Sequence, residues 1–213
     1  MPVTISGMNE KTATQITNPA NAFVEVAISG DTSQSYKMSL DTISKKAGIT
    51  AVANVTALFA RADAMDNQLF QTLGYSTEGI GANLYRYDAG SAATIDGGFV
   101  LPGIGGIMSF SGTTFSGTGG TGRFIAVNQT KVIPSQFGVV GAADDTNVII
   151  RSVAALTNGQ TLSFDPNKTY LIDDNGASYA TLSFSGLSNI QIEGNGATIK
   201  AKNGMSADNG TNL

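Results

Sequence analysis

The stretch "FGVVGAADDTNVIIRSVAAL", residues 137–156, places two adjacent carboxylates, Asp144 and Asp145, directly before an apolar helical pattern. Downstream stand the other acids and bases that could do chemistry: Asp165, Lys168, Asp173, Asp174 and Glu193. Two carboxylates can hydrolyse a glycosidic bond when they flank it from opposite sides, about 5–9 Å apart. Neighbours in sequence at a helix start do not face each other in that way. Such residues instead accept helix N–H bonds and favour the positive end of the helix dipole. Asp144, Asp145 and Thr146 are therefore expected to cap the helix and to be structural. The downstream candidates form no defensible pair. Asp165 and Lys168 lie around Pro166 at a turn, "DDNG" reads as a solvated loop, and Glu193 ends a short strand beside Gly194.

Composition narrows the chemistry further. The 213 residues include no His and no Cys. Imidazole acid–base catalysis, Ser-His-Asp triads, disulfides and thiolate or imidazole metal sites are excluded within the chain, and no cofactor is expected. The net charge is −4 with no basic cluster, which argues against nucleic acid as a partner. No apolar run reaches the ~18–20 residues of a membrane span, so no membrane partner is expected. The N-terminus "MPVTISGMNEK" has no signal-peptide core, which implies synthesis in a cytoplasm without export. With 26 glycines and 13% charged residues, the composition is that of a β-rich protein with many turns.

The elements that must position the acids read as follows. After "DDT", Ile149, Val153 and Leu156, with Ile150 and Ala154 beside them, mark a helix of about three turns. Then "TLSF", "TYLID", "ATLSFSG", "NIQIEGNG" and "ATIKAKNG" recur, each ended by Gly or Asn. Short β segments between Asn/Gly turns describe a solenoid, in which each coil buries its inward face on the next. Residues 75–131 read as a small β domain, with strands in "NLYRYD", "FVLPG" and "RFIAV" and a loop over 103–121. Tyr85 and Tyr87 share one strand face there, where core packing is the commoner role and sugar binding the alternative.

Residues 50–73, "TAVANVTALFARADAMDNQLFQTL", carry the one long helical pattern, stopped by Gly74. With Val55, Ala62 and Leu69 at heptad position a, Leu58 and Met65 fall at d. Arg61 at g and Asp66 at the following e then have the spacing of an interchain ion pair. The spacing predicts an intermolecular helical seam, against the alternative of an amphipathic helix on its own domain. Residues 1–43 hold three β-like runs, "PVTIS", "AFVEVAIS" and "SQSYKMSL", with a hairpin turn between the last two. So small a sheet needs a covering partner. Val3, Ile5, Phe23, Val24 and Val26 are the residues expected in that contact.

The C-terminal motifs also carry a family resemblance. The acid-pair segment is similar to the "FGA-GDG-TDDT" opening of the pectate-lyase-like right-handed β-helix of phage tailspikes, although the "GDG" is lacking. "GQTLSFDPNKTYLID" resembles that family's first coil and "LSNIQIEGNGATI" its second. "LGYSTEGIGANLYRYDAG…GRFIAV" resembles the linker domain before such helices, and residues 1–43 resemble a small tail-protein module. The fold this implies is mainly β with one long helix. Its parts would be an N-terminal module (1–43), a helical trimeric neck (44–74), a small β domain (75–131) and a capping helix leading into a right-handed parallel β-helix (132–213). The resemblance implies a homotrimeric virion protein of the phage tail. Its N-terminus would dock on a tail or baseplate protein, and its β-helix would bind or cut a bacterial surface polysaccharide. Family catalytic carboxylates lie many coils further on, and "SADNGTNL" offers no cap for the solenoid's open edge. The expectation is the N-terminal part of a longer protein, with no catalytic site in residues 1–213. The rival reading is a self-contained β-helix polysaccharide lyase or glycosidase. A cell-surface adhesin root is a third, disfavoured by the missing export signal.

Overall fold

The structure, a computed structural model, describes residues 23–27, 35–39, 48–141, 144–173 and 183–202. Met1–Ile49 form one unit. In it β1 (Phe23–Ala27) and β2 (Ser35–Ser39) pair antiparallel, with Val24 opposite Met38 and Val26 opposite Tyr36. This is the hairpin read from the sequence, and it carries Phe23, Val24 and Val26. The expected first strand, with Val3 and Ile5, lies outside the described residues.

The second unit, Thr50–Leu213, begins with a five-stranded sheet. Its strands are β3 (Ile49–Val52), β4 (Leu69–Thr72), β5 (Leu84–Asp88), β6 (Val100–Ile104) and β9 (Thr121–Ala126), in the order β3-β4-β5-β9-β6. Burial alternates along β4, β5 and β9, as the two-residue period of a half-buried strand requires. Phe70, Tyr85, Tyr87, Leu101 and Phe124 fill the buried face. The Phe124 ring meets Phe70 edge-on at 5.5 Å and lies 5.0 Å from Tyr87. The three strands expected within 75–131 are β5, β6 and β9. The expected loop at 103–121 is a hairpin arm instead. There β7 (Phe110–Ser111) pairs with β8 (Thr114–Phe115), and Ile107 bridges Thr118.

The long helix over residues 50–73 does not form. A single helical segment, α1 (Val55–Phe59), follows β3, with the Asn54 side chain accepting the Ala57 N–H at 2.9 Å. Asn67 has φ +64, a left-handed conformation that no continuing α-helix admits. Beyond it the chain runs as β4. The apolar spacing of Val55, Leu58 and Phe59 is real, but it serves one turn packed into the protein's own core. The neck residues therefore form no continuous helical stripe. Val55 and Leu58 are buried, Ala62 is exposed, Met65 is half-buried in a turn, and Leu69 lies in β4. Arg61 pairs with Asp63 at 2.8 Å rather than with Asp66, whose carboxylate takes the Asn67 amide and the Ala89 N–H. Gln68, fully buried, ties the turn by accepting the Met65 N–H and donating to Thr50. Burial against the sheet outweighs a helix preference of a few tenths of a kcal/mol per residue, roughly. The small β domain thus starts near Ile49, not at 75.

After the sheet come two further coils. β10 (Lys131–Val132), β11 (Thr161–Ser163) and β13 (Gln191–Glu193) pair in parallel, aligning Val132, Leu162 and Ile192, each thirty residues after the last. β12 (Thr169–Ile172) pairs in parallel with β14 (Thr198–Ala201), setting Tyr170 against Ile199. The corners repeat with the strands. Gly159 and Asn189, thirty residues apart, both have positive φ, and so do Asn167 and Asn195 in the next corner. Gly and Asn are the residues that tolerate this conformation, which explains why each β segment ends in one of them. Between β10 and β11 lies α2 (Thr146–Ala154), whose Ile149 and Val153, with Leu156 just beyond, share one core with Leu162, Phe164 and Tyr170. The sheet and the coils share that core as well. Phe99 packs on Phe137 at 5.3 Å, and Gly98 lies so close beneath the Phe137 ring that a Cβ would approach to 2.4 Å.

Because Leu58 is a core residue of one chain, Leu58→Ala is expected to cost ~2–5 kcal/mol in denaturant unfolding. The same loss is expected across a tenfold range of protein concentration. A loss that shrinks as concentration rises would point back to an intermolecular seam.

Candidate functional site

The acid pair divides its work. Asp145 is fully buried, and its two carboxylate oxygens hold different backbone groups. Oδ1 accepts the Gly141 N–H at 2.9 Å and Oδ2 the Leu171 N–H at 2.8 Å. The Asp145 N–H donates back to the Leu171 carbonyl at 2.7 Å, and its own carbonyl accepts the Ile149 N–H. Thr146 Oγ1 accepts the Asp173 N–H at 2.6 Å. On the opposite edge of β12, the carbonyls of Lys168 and Ile172 take N–H groups from Thr198 and Lys202 in the following coil. The start of α2 therefore occupies the strand edge that β14 leaves free.

This corrects the expected cap. Asp145 stands at the N-cap position, but its side chain makes no bond to the helix N–H groups. It fastens the Gly141 loop and the helix start to β12. The helix-end bond comes from Asp144, whose Oδ1 accepts the Thr146 N–H at 2.9 Å. Asp144 also shares Lys202 with Asp173, at 3.3 and 3.0 Å. Hydrogen bonding from Thr146, then from Lys202, holds the Asp144 carboxyl below its ordinary value. Its two carboxylate partners push Lys202 upward.

The other candidates are engaged in the same manner. Asp165 accepts bonds from the Ser135 hydroxyl and N–H and from the Tyr170 phenol at 2.6 Å, while its N–H donates to that phenol at 2.9 Å. Burial, then the Asp165 bond, raises the Tyr170 pKa. Glu193 accepts from Lys131 Nζ at 2.7 Å and Ser163 Oγ at 3.0 Å, and these bonds lower its pKa. Asp165 and Lys168 form a turn through their backbones, and Asp174 lies outside the described residues. Tyr85 and Tyr87 are core residues whose hydroxyls donate to Gly98 and Thr121 carbonyls at 3.0 and 2.9 Å. Among the described residues, no cluster of His, Cys, Asp or Glu could hold a metal ion. The partners that sequence reasoning missed, Ser135 for Asp165 and Ser163 for Glu193, stand thirty residues before their acids. A comparison of the chain with itself at that offset would have found them. What the arrangement does chemically is staple one coil to the next.

Asp145→Ala is expected to leave two buried N–H groups unpaired, at ~1–3 kcal/mol each, and to lower the melting temperature more than Asp144→Ala does. Asp144 contributes with the sign of a depressed carboxyl. Its small stabilisation is present above the ordinary carboxylate range and lost as the pH falls through its folded-state value. Thermal melts should therefore separate wild type from Asp144→Asn at neutral pH and converge in acid. A larger loss for Asp144→Ala than for Asp145→Ala would refute the assignment.

No family model and no curated protein matches the chain. Among solved structures it is similar to full-length tailspike protein 2 from Escherichia coli O157:H7 bacteriophage CAB120. The identity is 19% over 78% of this chain and 25% of that one, with a TM-score of 0.39. Tailspike protein gp49 from Acinetobacter baumannii bacteriophage Fri1, a capsular polysaccharide depolymerase, is similar at 18% identity over 67% of this chain and 22% of that one, TM-score 0.40. Pantoea stewartii WceF is a glycan biofilm modifying enzyme with a bacteriophage tailspike-like parallel β-helix fold. It is similar at 13% identity over 72% of this chain and 26% of its own, TM-score 0.40. The chain thus spans about a quarter of these proteins' length, and they are phage tailspikes and a tailspike-like parallel β-helix.

Proposed function

We propose that this chain is the N-terminal part of a phage tailspike, a virion structural protein that attaches a receptor-binding β-helix to the tail. The observation that carries the reading is the asymmetry of the coils. The first edge of β12 is closed by Asp145 and Thr146. At the far side Ile192 and Ile199, in register with the buried Leu162 and Tyr170, are 55% and 44% exposed. In this reading the solenoid is right-handed, α2 caps its root, and Ile192 and Ile199 receive another coil. Polysaccharide binding or cleavage belongs, in this reading, to coils beyond the described ones, because the acids described here are occupied as staples.

Residues 1–43 are the virion-attachment module in this reading. An antiparallel hairpin alone is marginal in water, and its edge can add to a neighbour's sheet. Val3, Ile5, Phe23, Val24 and Val26 are assigned to that contact with a tail or baseplate protein. Homotrimer assembly is part of the proposal through the family resemblance. With no coiled coil over residues 50–73, it rests on other surfaces. Three attachment edges would then act through effective concentration.

Deleting residues 1–43 is expected to abolish incorporation into virions, read by immunoblot of purified particles, while the remaining chain stays folded by circular dichroism. Normal incorporation would place the anchor elsewhere. Purified 1–213 is expected to release no reducing ends and no unsaturated uronate from host polysaccharide. Release of either would favour a self-contained lyase or glycosidase.

A further inference from the structure

Two Asn-Gly pairs stand at corners of the described coils, Asn158-Gly159 and Asn195-Gly196, and each is held through its side chain by a neighbouring coil. Asn-Gly is the dipeptide most prone to lose its side-chain amide, because no Cβ shields the glycine nitrogen. At Asn158 the amide serves as an acceptor. Its Oδ1 takes the Ser188 N–H at 2.9 Å, while the Gly159 N–H donates to the Ser188 carbonyl at 3.1 Å. At Asn195 the amide serves as a donor. Its Nδ2 reaches Ser163 Oγ and the Phe164 carbonyl of the preceding coil, both at 2.9 Å. The Phe164 N–H bonds to the Glu193 carbonyl, so the Asn195 side chain takes the next rung of the β11–β13 ladder, where a backbone N–H would stand.

This difference decides what one reaction would do at each corner. A carboxylate at 158 keeps the acceptor for the Ser188 N–H. A carboxylate at 195 meets two acceptors. The Phe164 carbonyl has no proton to give, and the Ser163 hydroxyl gives its one proton to Glu193 at 3.0 Å. Whichever way Ser163 turns, one carboxylate loses a donor. We propose that Asn195-Gly196 is a deamidation site that coil stacking holds shut and whose product releases the coil. The Gly196 nitrogen attacks Asn195 Cγ, the Cγ–Nδ2 bond breaks, and ammonia leaves with the proton of that nitrogen. Water then opens the succinimide to aspartate or isoaspartate. Stacking blocks the attack twice. Nδ2 is pinned to two oxygens, and the backbone is held in a turn with positive φ at both Asn195 and Gly196, closed by the Ala197 N–H to the Gly194 carbonyl at 2.8 Å. Such a type I′ turn has ψ of about +30° at its first central residue, which sets the following nitrogen away from the side chain. The coil must open before the ring can close, and the product cannot restore the rung.

The test uses the full chain, aged in mildly alkaline buffer and mapped by peptide mass spectrometry, with isoaspartyl methyltransferase labelling to mark the isomer. Conversion of Asn195 is expected to be at least about tenfold slower in the folded chain than in denaturant, the factor that an opening cost of ~1.4 kcal/mol supplies. Ser163→Ala, which removes one of the two acceptors, is expected to speed Asn195 conversion in the folded chain and to leave its rate in denaturant unchanged. Asn195→Asp should melt below wild type and Asn158→Asp close to it. Equal Asn195 rates in the folded and denatured chain would overturn the proposal. So would a Ser163→Ala rate no faster than wild type, or an Asn195→Asp chain as stable as Asn158→Asp.

Discussion

The buried Asp145 carboxylate is the interaction on which the coiled part depends. A parallel coil pairs through its edges, so the first coil exposes a row of unpaired N–H and C=O groups on one side. Left bare inside a protein, each such group costs free energy comparable to a lost hydrogen bond. Asp145 resolves this by behaving almost as a strand residue. Its backbone N–H reaches Leu171, while its carboxylate supplies acceptors that a helix start lacks. The second carboxylate oxygen holds Gly141 and so fixes the approach of the chain to α2. Once that edge is closed, Ile149 and Val153 are set over Leu162 and Tyr170, and the coil has a floor.

The same logic governs the junction with the sheet. Asp96 Oδ1 accepts three successive N–H groups, from Gly98, Phe99 and Val100, at 2.8–2.9 Å. Tyr75 and Tyr85 donate to the Gly97 and Gly98 carbonyls of the same turn. Burial raises the Asp96 pKa even against those amide bonds and pushes Tyr75 up to about 12. The turn is therefore held rigid at the point where Phe137 packs over Gly98. Arg151 reinforces it from α2, donating to the Phe137 and Gly112 carbonyls and lying 4.3 Å from the Phe110 ring centroid. A guanidinium held by carbonyls and a ring joins helix, hairpin arm and coil.

The sequence made the solenoid legible because its signals are local and repeated. An Asn or Gly is needed wherever φ is positive, and Asn158-Gly159, Asn167, Asn189 and Asn195-Gly196 stand at the ends of the β segments. β5 and β9 were likewise readable from alternation. Residues 50–73 look helical in sequence because a helical period of one turn at Val55, Leu58 and Phe59 continues by coincidence into the heptad positions Ala62, Met65 and Leu69. What breaks it is tertiary: the sheet needs Phe70 and Thr72 on one face, and Gln68 has a partner in Thr50 eighteen residues away. The division of labour between Asp144 and Asp145 was hidden for a similar reason. Their sequence neighbours define a helix start, but the N–H group that claims Asp145 belongs to Leu171, in a strand whose position only the fold supplies.

These observations also explain why so many of the polar side chains are spent on holding rather than reacting. An Asp offers two acceptor oxygens on a short stem, which suits corners where the backbone turns and its N–H groups lose their ladder partners. Asp96, Asp145 and Asp165 all stand at such corners: Asp96 holds the N–H groups of its own turn, while Asp145 and Asp165 bridge segments. A carboxylate that accepts two or three fixed protein donors is committed to holding those donors in place. A reactive acid needs the opposite: an accessible oxygen and a partner across open space. The described coils build the first arrangement repeatedly, and they leave Ile192 and Ile199, in register with the buried Leu162 and Tyr170, exposed.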